Sequence, residues 1–165
     1  MTALLLWLAL QTAPVSPHGD KAAVLIFTRT DCPVSNRYAP EIQRLYRKYA
    51  PQGVEFSLVY PERDLSAEAM ERHHREFGYT MPAILDPGHR YVARARARTT
   101  PEAAVFAAGQ LVYHGRIDDR YLDFSKSRQQ ASHHDLDDAL GAVLAGKAPP
   151  ARETSAVGCA IEDLR

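Results

Sequence analysis

Apolar and polar positions along this chain fall into blocks, and the period of each block assigns it an element. Ala22-Ala-Val-Leu-Ile-Phe27 is a continuous apolar run bounded by polar residues, the pattern of a strand buried on both faces. From Ala39 to Tyr49 the positions Ala39, Ile42, Leu45, Tyr46 and Tyr49 recur at helical spacing, and Pro51 and Gly53 end the pattern. Val54 to Tyr60 is rich in strand formers and alternates at its start, so it predicts a second strand, closed by Pro61. Ser66 to Phe77 predicts a helix stopped by Gly78; Ser66 caps it better than Leu65 because a hydroxyl can accept a backbone N–H. Ala83 to Asp86 predicts a short strand, and Tyr91 to Arg98 a basic helix or turn.

Two short apolar runs around Ala108-Gly-Gln110, within Glu102 to Gly115, predict an antiparallel hairpin. His134 to Leu144 carries Leu136, Ala139, Leu140, Val143 and Leu144 on one helical face, with Gly146 as its stop. A tail with Pro149 and Pro150 then runs to Val157-Gly-Cys-Ala-Ile161. The order strand, helix, strand, helix, short strand, helix, hairpin, helix predicts an α/β fold, a mixed sheet with helices on both faces and a terminal β-hairpin.

Composition narrows the partners. With 165 residues and 45% hydrophobic content the chain suits one domain. Twenty basic residues balance twenty acidic ones, which gives no general attraction to nucleic acid or acidic lipid and leaves proteins or small molecules as partners. The run Ala3 to Leu10 has the length of a signal-peptide core and falls short of the ~20 residues that span a bilayer. We therefore expect residues 1–20 to be a signal peptide and short linker, 21–147 the folded domain and 148–165 an extended tail. The expected location is periplasmic or extracellular, without stable membrane insertion after processing, where disulfides persist.

Phe27-Thr-Arg-Thr-Asp-Cys-Pro-Val-Ser-Asn36 places one of only two cysteines just after the first strand. Here the sequence resembles thioredoxin-fold redoxins. Cys32-Pro-Val-Ser35 stands where that fold has its active-site cysteine, at a strand-to-helix junction, and Thr99-Thr-Pro-Glu102 with Gly109 and Tyr113-His-Gly115 is similar to its cis-proline loop and hairpin. "DCPVSNRYAPE", "TTPE", "YHGRIDDRY", "AVLAGKAP" and "GCAI" resemble redoxin-domain proteins of the alkyl hydroperoxide reductase/thiol-specific antioxidant group. The resemblance implies a thioredoxin-like three-layer fold and thiol redox chemistry without a cofactor. Two departures stand out: Ser35 replaces the second cysteine of Cys-x-x-Cys, and Leu25 and Arg29 occupy the Pro and Thr positions of the peroxiredoxin pattern.

A thiol reacts as thiolate, so its pKa must fall from about 8.5 to be useful near neutrality. At the N-terminus of a helix begun by Pro33, with Ser35 in the first turn, Cys32 would face unpaired N–H groups and the positive end of the dipole. Arg29 and Arg37 would add to that field if turned inward, and Asp31 would oppose it. Ser35 cannot resolve a disulfide, so the candidate resolving thiol is Cys159, expected to return on an extended, mobile tail. The same pair could instead be a permanent bridge, adding about 4 to 5 kcal/mol by chain entropy. Thr100 and Pro101, if the bond is cis, would offer backbone groups to an incoming peptide.

The histidine pairs raise a copper or zinc reading. His73-His74 lies in a Glu/Arg-rich helix and is expected on a solvated face; His133-His134 is expected to be exposed or to cap the last helix. No metal ligand set is assigned. Asp118-Asp119-Arg120 is expected to be a loop with a surface ion pair. The sequence thus predicts a thiol-disulfide oxidoreductase acting on protein or small-molecule thiols and disulfides, with an external reductant. Peroxide reduction and a non-catalytic copper-binding or adaptor module are the alternatives.

Overall fold

The computed structural model describes residues 21–162 and residue 164. The expected signal segment, 1–20, lies outside the described residues. Among the described residues no helix is long and apolar enough to cross a membrane.

Among the described residues seven strands and four α-helices follow in the order β1 (Ala22–Phe27), α1 (Pro33–Tyr49), β2 (Val54–Tyr60), α2 (Ala67–Glu76), β3 (Ala83–Leu85), α3 (Arg90–Ala95), β4 (Thr99–Thr100), β5 (Glu102–Ala107), β6 (Gln110–Gly115), α4 (Asp135–Leu144) and β7 (Cys159–Ala160). Five strands form the main sheet in the order β3-β2-β1-β5-β6. β1 runs parallel to β2 and antiparallel to β5, so the sheet is mixed.

β1 explains its own apolar run. Ala22, Val24 and Ile26 face one core with residues of α1 and α4, while Ala23, Leu25 and Phe27 face a second core with Val92 and Ala95 of α3. Period-two alternation disappears because both faces are buried. This is the three-layer α/β arrangement expected from the sequence. The hairpin turn is Ala108-Gly109, both at positive φ (47° and 76°), which suits a tight two-residue connection.

Helix ends follow local chemistry. The Ser66 hydroxyl accepts from Ala69 N at 3.2 Å and caps α2. α3 has no cap from His89; instead the buried Asp86 carboxylate accepts from the N–H groups of Arg90, Tyr91 and Val92 at 2.8–3.0 Å. α1 starts at Pro33 and passes through Pro40, six residues earlier than its hydrophobic periodicity alone reveals.

The tail differs from expectation. Rather than hanging free, it packs along the domain. His114 N donates to Arg152 O and Thr154 N to His114 O, and the Tyr113 hydroxyl meets Thr154 Oγ1 at 2.7 Å. A Cβ on Gly115 would come within 2.2 Å of Thr154 O, so this approach needs glycine. β7 then pairs antiparallel with β4, and Ile161 is buried in the second core. Three backbone contacts and an apolar anchor outweigh the tail's proline content.

Candidate active site

Cys32 is the N-cap residue of α1, with extended backbone (φ −88°, ψ 110°) and Pro33 at the first helical position. It is fully enclosed, at 0% exposure. Its thiol donates to Thr100 O at 3.1 Å. The Thr100–Pro101 peptide is cis, and β4 ends at that bond. Across the β4–β7 pair Thr100 lies opposite Cys159, and its hydroxyl donates to Cys159 O at 3.3 Å. The two cysteines, 127 positions apart (159 − 32), are both free and within hydrogen-bonding reach of each other.

Electrostatics separates the two thiols. Burial pushes Cys32 up, but donors from the Cys159 thiol, the Ser35 hydroxyl and the Ser35 and Cys159 N–H groups outweigh it and hold the thiol below its ordinary range. The Ser35 hydroxyl is buried and has no strong hydrogen-bond acceptor of its own, so it is a donor available to a thiolate at Cys32. The Thr100 carbonyl works the other way, since it can accept only from the protonated form. Burial pushes Cys159 up to about 12, reinforced by its hydrogen bond to Cys32.

The junction itself is held from three sides. Glu62 Oε1 accepts from Thr30 N at 2.7 Å and from the Thr30 hydroxyl at 2.9 Å. Asn36 Nδ2 donates to Thr30 O at 3.2 Å, and Asn36 Oδ1 accepts from His73 Nε2 at 2.9 Å. The His73 Nδ1 atom then accepts from the buried Tyr60 hydroxyl at 2.9 Å. His73 is therefore not on a solvated face: it is 5% exposed, its ring centroid lies 4.6 Å from that of Phe77 and 6.2 Å from that of Tyr79, and burial lowers its pKa. Its neighbour His74 donates to Met81 O at 2.7 Å. The helical wheel of α2 shows its charged neighbours but not the aromatic wall of Tyr60, Phe77 and Tyr79.

Arg29 does not turn toward Cys32. Its guanidinium grips Asp31 through two bonds of 3.1 and 3.2 Å and donates to Ala160 O at 3.3 Å, tying the junction to β7. Asp31 is thereby compensated by its own arginine. Arg37 is exposed.

Asp118 and Asp119 are also misjudged by a surface reading, being 2% and 5% exposed. Asp118 accepts from the Tyr38 hydroxyl at 2.5 Å and from Arg120 N at 2.9 Å; Asp119 accepts from Ser132 N and His133 N at 2.6 and 2.9 Å. They fix the long loop before α4 by satisfying backbone donors. His134 is exposed and N-caps α4 without a side-chain hydrogen bond. Among the described residues Glu41, Asp118 and His134 bring ligand atoms within 4.8 Å of one another. Both Glu41 oxygens are already bound by Arg44, at 2.7 and 2.8 Å.

Fold and site together define a thioredoxin-fold protein whose thiol pair joins the strand–helix junction to the tail. The chain belongs to the AhpC/TSA family, which it matches over residues 9–114. That segment holds Cys32, Thr100 and Pro101 and stops before Cys159. Comparison with the curated proteins gives no match. Among solved structures it is similar to an uncharacterized conserved protein from Geobacillus kaustophilus (26% identity, TM-score 0.77, covering 88% of this chain and 78% of that one). A hypothetical protein from Sinorhizobium meliloti 1021 is similar over 88% of this chain and 81% of its own (22%, TM-score 0.74). The thioredoxin domain of a thiol-disulfide oxidoreductase from Bacteroides vulgatus shares the fold over 58% of this chain and 70% of its own (14%, TM-score 0.50).

Proposed function

We propose that this protein is a thiol-disulfide oxidoreductase whose working pair is Cys32 and Cys159. The observation that carries the reading is the placement of both free thiols around Thr100, one bonded to its carbonyl and the other opposite it in the β4–β7 pair. Cys32, with its donors at the start of α1, supplies the thiolate, and Cys159 is the second sulfur of the pair. Bridging them removes two electrons and two protons, which pass to an external disulfide, and an external thiol reductant returns them. Pro33 and Ser35 shape the thiolate's surroundings, and Thr100 and Pro101 hold its other side.

Several placements favour this over the alternatives. Leu25 is buried in the second core and Arg29 is engaged with Asp31 and Ala160, so neither gives the donors that peroxide reduction needs around both oxygens. His73, His74, His89 and His114 are hydrogen-bonded to Asn36, Met81, Pro61 and Glu102, which argues against imidazole joining the thiols around copper. Export rests on the apolar run Ala3 to Leu10; an unprocessed Met1 in protein from the native host would overturn it.

Thiol counting with and without reductant, on the wild type and on Cys159→Ser, tests the pair. Two thiols that disappear together on oxidation, and only in the wild type, support it. Equilibration against a thiol buffer then separates a working bridge, near about −200 mV, from a structural one below about −300 mV. Rapid peroxide consumption with prior oxidation of Cys32 would favour the peroxidase alternative.

A further inference from the structure

The strand that carries Cys159 is also what seals Cys32. Cys32 has no exposed surface, whereas Cys159 is partly exposed. β7 is held over the junction by its pairing with β4, by Ile161 N donating to Arg98 O at 2.9 Å, by the Arg29 bond to Ala160 O and by the buried Ile161 side chain. Gly158 passes so close that a Cβ there would lie 2.0 Å from Thr100 O. No route to the Cys32 sulfur is open while β7 is docked. The backbone edge of Thr100 that could pair an incoming peptide is filled by the chain's own tail.

We propose that Cys159, not Cys32, is the sulfur at which external thiols enter and leave, and that Cys32 is the enclosed partner that departs and returns. The proposal rests on the reading of the two cysteines as a redox pair. Starting from the Cys32–Cys159 disulfide, an external thiolate gives its electron pair to Cys159 Sγ. The S–S bond breaks, its pair stays on Cys32 Sγ, and the products are a Cys32 thiolate and a mixed disulfide on Cys159. A second external thiolate attacks the outer sulfur of that mixed disulfide, releases the external disulfide, and leaves a Cys159 thiolate that takes a proton from water. The protein has gained two electrons and the two external thiols have lost them. In the reverse direction the Cys32 thiolate attacks Cys159 Sγ and expels the external thiol.

Chemistry and access select the same sulfur. Exchange is faster when the departing thiol has the lower pKa, and Cys32 departs into the Ser35 N–H and the unsatisfied Ser35 hydroxyl. In the first step, attack on Cys32 would instead have to expel Cys159, whose thiol is pushed up to about 12 by burial; in the order proposed Cys159 departs only in the slower second step, so its adduct accumulates. Attack on Cys32 would also have to reach a sulfur under β7.

The test uses the oxidised full-length wild type, mixed at neutral pH with N-acetylcysteine, quenched in acid during the first turnovers and mapped by peptide mass spectrometry. We expect at least about tenfold more adduct on Cys159 than on Cys32, since access and leaving-group stability both favour that site. Equal or greater adduct on Cys32 overturns this proposal and leaves the redox pair standing. Protein that forms no Cys32–Cys159 bridge under oxidation, seen in the thiol count, overturns the pair and this proposal with it.

Discussion

Thr100 and Cys159 lie opposite each other in the β4–β7 pair, and the Thr100 carbonyl also accepts the Cys32 thiol proton at 3.1 Å. One backbone residue thus positions both sulfurs: its carbonyl holds Cys32 and its strand register holds Cys159. Disturbing the register should separate the thiols without touching either.

Gly158→Ala applies that disturbance, because the new Cβ would collide with Thr100 O at 2.0 Å. Overpacking of this kind costs roughly 1–3 kcal/mol, here against the docked tail. Labelling of Cys32 in the reduced protein by a bulky maleimide should rise about tenfold or more, since each 1.4 kcal/mol of local opening is about a factor of ten. Unchanged labelling would mean that β7 is not what encloses Cys32.

Ser35→Ala should raise the pKa of Cys32. It removes a hydroxyl that helps to hold the thiolate, while burial, which pushes the pKa up, remains. Alkylation mapped to Cys32 across pH should have its midpoint at higher pH in the variant. Global stability should change by less than about 1 kcal/mol, because the hydroxyl is unsatisfied in the folded thiol form.

His73 sets a pH dependence on folding. Burial lowers its folded pKa below the ordinary 6.5. As pH drops through that value the unfolded chain takes a proton that the folded one resists, so stability falls. The urea midpoint should decrease from pH 7 to pH 5 in the wild type and decrease less in His73→Gln. Equal losses in both proteins would assign the dependence to other groups.

Asp137 acts in the same direction, in a more acidic window. Burial raises its pKa, but Lys48, the Tyr49 hydroxyl and Arg44 prevail and hold it at about 2. A depressed carboxylate stabilises the fold above its unfolded value of 3.8, and that contribution is lost as pH falls through about 2. Asp137→Asn should cost about 2 kcal/mol at pH 7. The gap from wild type should close in acid, as read by denaturant titration.

The elements that were legible in the sequence are those whose neighbours are local or periodic. The double-faced burial of β1, the Ser66 cap and the Ala108-Gly109 turn each follow from a few adjacent residues. Cys32 and Cys159 were singled out because no other cysteines exist. What stayed hidden depends on distant partners. His73 becomes a buried link only because Tyr60 and Asn36 arrive from β2 and α1. Glu62 looks like a loop carboxylate until Thr30 is brought beside it. The docked tail was hidden in the same way, since the close approaches that Gly115 and Gly158 allow depend on distant backbone.

The position of β7 in chain order adds a matter of timing. Synthesis proceeds from the N-terminus, so the main sheet, α1 and α4 are made before Gly158 and Cys159 exist. Until β7 docks, Cys32 sits at a helix end without the cover that this strand supplies. It is an open thiol that can be captured by a stray disulfide during that interval. Docking of β7 ends the exposure, turning an open thiol into a shielded pair.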